Sequence, residues 1–280
     1  MKFTKMNGLG NDYIYIECLE QDIENPSQLA VRLSDRHFGI GGDGLVLIRP
    51  SQKADFTMDM YNADGTQAEM CGNAIRCVGK LVYDKGLTDQ TTLTIETLAG
   101  MKTLELQVEN GKVETVTVDM GQPILTPADI PVDFPGENVV QEEITVEGTA
   151  YRVTCVSMGN PHAVLFFDPN FDLTGMDLTA IGPKFEHHPL FPQRINTEFA
   201  KVVASDVIEM RVWERGTGET WACGTGACAT LVAAVLCGLS DREATLRLRG
   251  GDLHIRWDEQ TGHVFMTGPA TVSFTGEFDE

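Results

Sequence analysis

Met70-Cys71-Gly72-Asn73-Ala74-Ile75-Arg76-Cys77 and Ala222-Cys223-Gly224-Thr225-Gly226-Ala227-Cys228 are two versions of one signal, one in each half of the chain. Each sets a cysteine and a glycine at the head of an apolar run with helical spacing. A thiol at a helix N-terminus faces unpaired backbone N–H groups and the positive end of the helix dipole, and both favour thiolate. The glycine that follows leaves the backbone bare for close approach by a ligand. One such thiol is a candidate nucleophile. Two in matching surroundings point to a pair of bases working on one substrate. A turn cysteine without chemistry is the plainer reading of either alone, and the repetition argues against it for both.

Outward from these turns the halves run in parallel. After Cys71, the residues Ala74, Ile75, Val78, Leu81 and Val82 keep helical spacing until Gly86. Alternating runs follow at Leu93-Thr94-Ile95, Leu104 to Val108 and Val116 to Met120, with Asn110-Gly111 as a hairpin signal between the last two. After Cys223, Ala227 to Leu236 is apolar almost all round, as in a helix buried on every side, and Gly238 ends it. Leu246 to Arg249 then pairs with Leu253 to Trp257 across Gly250-Gly251-Asp252, and His263 to Met266 forms a further strand. Upstream, Asn11 and Asn160 each precede a strand-like run. Asn62 lies nine residues before Cys71, and Glu214 nine before Cys223.

Prolines 123, 127, 131 and 135, with Gly121 and Gly136, mark a connection between the halves. The expected fold is α+β: two pseudo-symmetric domains, each a mostly antiparallel β-sheet wrapped around a central α-helix, with the active site in the cleft between them. The expected domains are 1–120, completed by a C-terminal strand in 266–280, and 121–265.

Composition narrows the function. Lys and Arg total 21 against 41 Asp and Glu, a net charge of −20 that argues against nucleic acid, which is bound by clustered cations. The start of the chain, Met1 to Gly8, lacks the apolar core of a signal peptide. The longest apolar stretch, Leu231 to Leu239, is too short for a bilayer and carries Gly238. A cytoplasmic protein with no membrane partner is expected, and its seven cysteines are expected to stay reduced.

Two motifs invite misreading. Gly39-Ile40-Gly41-Gly42-Asp43-Gly44 matches G-x-G-x-x-G, but helix-like Leu29 to Leu33 precedes it and strand-like Leu45 to Ile48 follows. That is the reverse of a dinucleotide fingerprint, so a pocket-shaping turn is expected and no nicotinamide cofactor. Cys71/Cys77 and Cys223/Cys228 are spaced six and five apart, outside the close pairs of zinc sites, so no metal is expected. Cys18, Cys77, Cys155, Cys228 and Cys237 read as small buried hydrophobes. Glu214, just before the second turn, suits binding a substrate amine or tuning a thiol, against the plain alternative of an exposed acidic loop. His162 is ambiguous by itself and near a thiol would favour thiolate.

These motifs resemble the diaminopimelate epimerase family of cofactor-independent isomerases, over nearly the whole chain. The resemblance runs through Met6 to Asp12, Tyr61 to Thr66, the Cys71 turn, Gly159-Asn160-Pro161-His162, Arg194 to Thr197, Glu214-Arg215-Gly216, the Cys223 turn and Gly268-Pro269-Ala270. It implies that Cys71 and Cys223 are catalytic and flank one α-carbon of diaminopimelate. Gly72, Asn73, Gly224 and Thr225 would cradle the reacting carboxylate through their backbone. Glu214 and the Arg215 backbone would hold the reacting ammonium, with Asn11 nearby. Asn62, Asn160, Asn196 and the Arg215 side chain would recognise the distal end. His162 and Glu214 would modulate the thiols. The family implies a homodimer and no cofactor. Gly44 stands where some relatives have glutamine, and Phe274 where some have a tyrosine linked to dimer contacts. A proline-type racemase of the same superfamily, or a thiol redox or metal-binding protein, are the competing readings.

Overall fold

The computed structural model describes residues 1–20 and 22–279. They fall into two compact units, Met1–Asp119 with Thr267–Glu280, and Met120–Met266. Glu280, the end of the range expected for the C-terminal strand, lies outside the described residues.

The first unit contains β1 (Lys2–Gly8), β2 (Asn11–Glu17), α1 (Pro26–Ser34), β3 (Gly44–Arg49), β4 (Phe56–Asn62), β5 (Gln67–Ala68), α2 (Gly72–Asp84), β6 (Thr92–Thr97), β7 (Gly100–Glu109) and β8 (Lys112–Asp119). The chain's last strand, Thr271–Glu277, pairs antiparallel with β1. β1 then pairs with β2, β2 with β3, β3 with β4, β4 with β5 and β6, β6 with β7, and β7 with β8. Only β2/β3 and β4/β6 among these are parallel, and each is bridged by a helix, α1 or α2. A parallel pair needs such a crossover, whereas the antiparallel pairs close through short turns. Asn110 and Gly111 both take positive φ between β7 and β8, as the hairpin signal requires.

The second unit contains β9 (Glu142–Val146), β10 (Thr149–Ser157), β11 (Pro161–Phe167), α3 (Leu178–Glu186), β12 (Asn196–Ala204), β13 (Val207–Glu214), β14 (Gly218–Thr220), α4 (Gly224–Leu236), β15 (Glu243–Leu248), β16 (Gly251–Trp257) and β17, whose range Val264–Pro269 runs across the unit boundary. Pairing repeats the first unit step for step. β9/β10, β10/β11, β12/β13, β13/β14 and β15/β16 are antiparallel, while β11/β12 and β13/β15 are parallel around α3 and α4. This is an α+β architecture of mostly antiparallel sheet, built twice.

α2 and α4 are the central helices. Both have 13 residues and are buried along nearly their whole length against the strands of their own unit. Gly86 and Gly238 stop them in the left-handed region, at φ 72° and 68°. In each case the glycine N–H and the next residue's N–H bond back to the last turn, Gly86 to Tyr83 and Leu87 to Val82, Gly238 to Val235 and Leu239 to Ala234. Burial of α4 on all sides explains its uniformly apolar sequence.

Two expectations need revision. The β15/β16 register closes at Leu248↔Gly251, so the turn is Arg249-Gly250 and Gly251-Asp252 already belong to the strand. Cys237 is half-buried at the end of α4, while Cys18, Cys77, Cys155 and Cys228 are buried. The proline-rich connection, as expected, is not a regular element, and it packs inward: Ile130, Val132 and Val139 enter the core of the second unit with Val153, Phe185 and Phe199. Spaced apolar residues between the prolines make this possible without a regular element.

Candidate active site

Cys71 and Cys223 hold the same position in their two units. Each is the N-cap of its central helix, with extended backbone at φ −135°, ψ 122° and φ −121°, ψ 112°. Each carbonyl accepts the first helical hydrogen bond, from Ile75 at 3.0 Å and Ala227 at 2.9 Å. The strand registers carry the equivalence upstream. Tyr13 pairs with Gly44, which pairs with Asn62; His162 pairs with Asn196, and Thr197 with Trp213, the residue before Glu214. β4 ends at Asn62 and β13 at Glu214, nine residues before the respective cysteine. The scaffold is repeated, but the charge is not. A neutral amide stands in one unit where a carboxylate stands in the other.

In the first unit Cys71 is half-buried, and its Sγ lies 3.3 Å from Asn11 Oδ1. Asn11 Nδ2 donates to Asp43 Oδ2 at 2.8 Å. Asn73 turns its side chain inward, where Oδ1 accepts from the fully buried Arg76 at 2.9 Å. Its contribution at the mouth of α2 is therefore its backbone, beside that of Gly72. Asn62 Nδ2 donates to Thr66 Oγ1 at 3.0 Å.

In the second unit Cys223 is buried, and its Sγ accepts from Gly226 N at 3.3 Å and lies 3.4 Å from Thr225 Oγ1. Thr220 Oγ1 donates to Glu214 Oε1 in a very short contact. His162 is completely buried, with Nδ1 2.6 Å from Glu198 Oε1 and Nε2 3.0 Å from Asn160 Oδ1. Its ring nitrogens are thus both engaged by oxygens of its own unit. Asn196 is also buried. Its Nδ2 donates to Pro161 O at 2.8 Å and its Oδ1 accepts from Arg215 N at 2.9 Å, fastening the turn that carries Arg215. The Arg215 guanidinium donates to Gln193 O at 3.0 Å.

Electrostatics correct one expectation from sequence. The helix N-terminus does favour a thiolate at Cys223, through Gly226 N–H and Thr225. Burial, then the Glu214 and Glu198 carboxylates, outweigh it and push the Cys223 thiol well above its ordinary range. Glu214 is itself raised by burial, with Thr220 and the charge of His162 pulling it back in part. His162 thus touches Glu198 directly and lowers Glu214 through its charge. Such a cluster of buried, mutually coupled groups is a characteristic of reaction centres.

Sequence reading passed over three side chains that build these surroundings. Glu198 holds His162, Asp43 holds Asn11, and Glu186 binds Gly216 N at 2.9 Å and Trp213 Nε1 at 2.7 Å beneath the Arg215 turn. The only local signal for Glu198 is an acid inside the buried run Asn196 to Ala200. Among the described residues, no group of three or more His, Cys, Asp or Glu is arranged to hold a metal ion. No described helix is long and apolar enough to cross a membrane.

The family model described as diaminopimelate epimerase matches residues 3–126 and 154–273. The diaminopimelate epimerase of Acetivibrio thermocellus is 60% identical over 279 residues, covering 100% of this chain and 99% of that protein. The chain belongs to the diaminopimelate epimerase family. The diaminopimelate epimerase of Methanococcus maripaludis is 58% identical, with both chains covered fully. A probable proline racemase from Agrobacterium radiobacter K84 shares the fold at TM-score 0.69 and 15% identity, over 99% of this chain and 92% of that one. The two positions singled out in the sequence, Gly44 and Phe274, have defined packing. A Cβ at Gly44 would lie 2.1 Å from Tyr61 O, so this backbone leaves no room for a glutamine. Phe274 instead packs edge-on against Phe3, with ring centroids 6.0 Å apart.

Proposed function

We propose that this protein interconverts LL- and meso-diaminopimelate by two-base inversion at one α-carbon, without a cofactor. The observation that carries the reading is the matched N-cap position of Cys71 and Cys223 in two units of repeated topology, within a chain of this family. In the reaction one cysteine, as thiolate, takes the α-proton. The other, as thiol, gives its proton to the opposite face of the carbanion. The starting stereocentre is inverted, and the cysteines have exchanged protonation states. General acid–base assistance contributes about 10²–10⁴-fold, too little for so weak a carbon acid. The backbone N–H groups at Gly72, Asn73, Gly224 and Thr225 supply the rest by stabilising charge that spreads into the carboxylate.

Glu214 and the Arg215 backbone bind the reacting ammonium in this reading, and Asn62, Asn160, Asn196 and the Arg215 side chain recognise the distal amino-acid end. Buried Asn196 supports a positioning contribution as well, since it anchors the Arg215 turn. The family also supports a cytoplasmic homodimer. Incubation of LL-diaminopimelate in deuterated water, without added cofactor, tests the proposal. Deuterium is expected at one α-carbon as the meso isomer accumulates. Turnover of proline in place of diaminopimelate would overturn it.

A further inference from the structure

We propose that Asp43 is a positioning residue for the Cys71 thiol, pinning the Asn11 side chain so that its carbonyl oxygen faces Sγ. The proposal rests on the reading of Cys71 as one of the two bases. It also makes specific the pocket-shaping task expected of the glycine-rich turn, Gly39 to Gly44.

An asparagine can turn either end toward a sulfur. Its oxygen accepts from a thiol S–H, and its NH₂ donates to a thiolate, so the two orientations favour opposite protonation states. An ionised carboxylate offers acceptors only, so Asp43 Oδ2, at 2.8 Å, selects the NH₂ end of Asn11. The oxygen is then left at 3.3 Å from Cys71 Sγ. Asp43 is in turn fixed from several sides. Its Oδ2 accepts from Asp12 N at 3.1 Å, and its Oδ1 from Arg36 Nη2 at 2.9 Å. Its own N–H donates to Asp12 O at 2.7 Å, and its carbonyl accepts from Ala63 N at 3.0 Å.

The turn that delivers Asp43 is held tightly enough to set such an orientation. Gly39, Ile40, Gly41 and Gly42 donate backbone bonds to Asp35, Leu33 and Ser34. A Cβ at Gly39 would fall 2.4 Å from Arg32 O, which only glycine avoids. Lys5, almost fully buried, bonds Gly41 O and lies 2.6 Å from Asp12, which pairs with Arg36 on its other oxygen at 2.6 Å. A chain of alternating charge, Lys5, Asp12, Arg36 and Asp43, thus ends on the amide that faces the thiol.

The test is the pH dependence of Cys71 alkylation by iodoacetamide in the full-length protein, read by mass spectrometry of the Cys71 peptide, beside kcat and KM. Asp43→Ala frees the Asn11 amide to turn its NH₂ toward sulfur. The alkylation midpoint is expected to fall by about one pH unit, the scale of one hydrogen bond exchanged. A fall in kcat of roughly tenfold with little change in KM is expected from the same scale. Asp43→Asn removes the charge but keeps an oxygen for Asn11, and its midpoint is expected to remain near that of the parent. If Asp43→Ala does not fold, Asp43→Ser, whose short hydroxyl cannot reach Asn11, takes its place. An unchanged midpoint in the shortened variant overturns the proposal, as does an equal shift in Asp43→Asn, which would assign the effect to charge. A Cys71→Ser enzyme that keeps native turnover would instead remove the two-base reading, an outcome distinct from both.

Discussion

His162 Nδ1 lies 2.6 Å from Glu198 Oε1, and neither side chain has any exposed surface. Glu198 Oε2 makes no hydrogen bond. A carboxylate in such a place depends on its one cationic or proton-donating partner, because removing that partner leaves a buried charge uncompensated. His162→Ala is therefore expected to cost about 3–5 kcal/mol in urea unfolding. His162→Ala with Glu198→Gln should regain part of that loss. Costs that simply add in the double variant would show that the pair is not coupled.

Glu214 is half-buried with its pKa raised above the ordinary 4.5, so the folded protein binds its proton more tightly than the unfolded chain does. Its contribution to stability is full below pH 4.5 and is lost as pH rises through the folded value. Glu214→Gln removes a carboxylate that is costly to ionise. The variant should be at least as stable as the parent at about pH 7–8 in thermal melts, while losing epimerase activity by about 10²-fold or more. A variant destabilised at neutral pH and not in acid contradicts this account.

The same carboxylate raises the Cys223 thiol. Glu214→Gln should accordingly lower the pH at which Cys223 reacts with iodoacetamide, since one of the two negative charges opposing the thiolate is gone. A midpoint that stays put or moves upward would mean that the Glu214 carboxylate does not raise the thiol.

Serine at either cysteine keeps the hydrogen-bonding shape and loses the acidity. Cys71→Ser and Cys223→Ser are each expected to reduce diaminopimelate turnover by at least about 10²-fold, the low end of what a general base contributes. The readout is solvent deuterium incorporation, which separates proton removal from the full inversion. Native turnover in either variant excludes a two-base mechanism.

Gly44→Gln puts a side chain where Tyr61 O and the Tyr13 ring occupy the space a Cβ needs, at 2.1 and 2.8 Å. Backbone, not a flexible side chain, makes the first contact. The substitution should lower stability by about 1–3 kcal/mol, as overpacking does. An unchanged melting temperature in the Gly44→Gln variant would show that β3 can shift.

What could be read from the sequence is what short-range chemistry decides. The starts of α2 and α4 at Cys71 and Cys223, their stops at Gly86 and Gly238, and the Asn110-Gly111 hairpin all depend on hydrogen bonds spanning a few residues. Helical and alternating periodicity identified the central helices and several strands of each unit. α3 escaped because Gly182 and Pro183 interrupt its pattern, although Asp177 caps it by accepting from Thr179 and Ala180. The parallel pairs β2/β3 and β11/β12 escaped because strand periodicity does not encode direction.

The site divides along the same line. The sequence by itself determined which thiols stand at helix N-termini, and the family motifs around them. Only the tertiary structure decided that Cys223 is pushed up rather than down, because desolvation and two carboxylates exceed the pull of the helix end. It also brought Glu198 to His162 across 36 residues, and Asp43 to Asn11 across 32. A helix terminus acts within one turn of chain and is visible in a local motif. Burial and Coulomb energy depend on every group that folding brings near, whatever its place in the sequence.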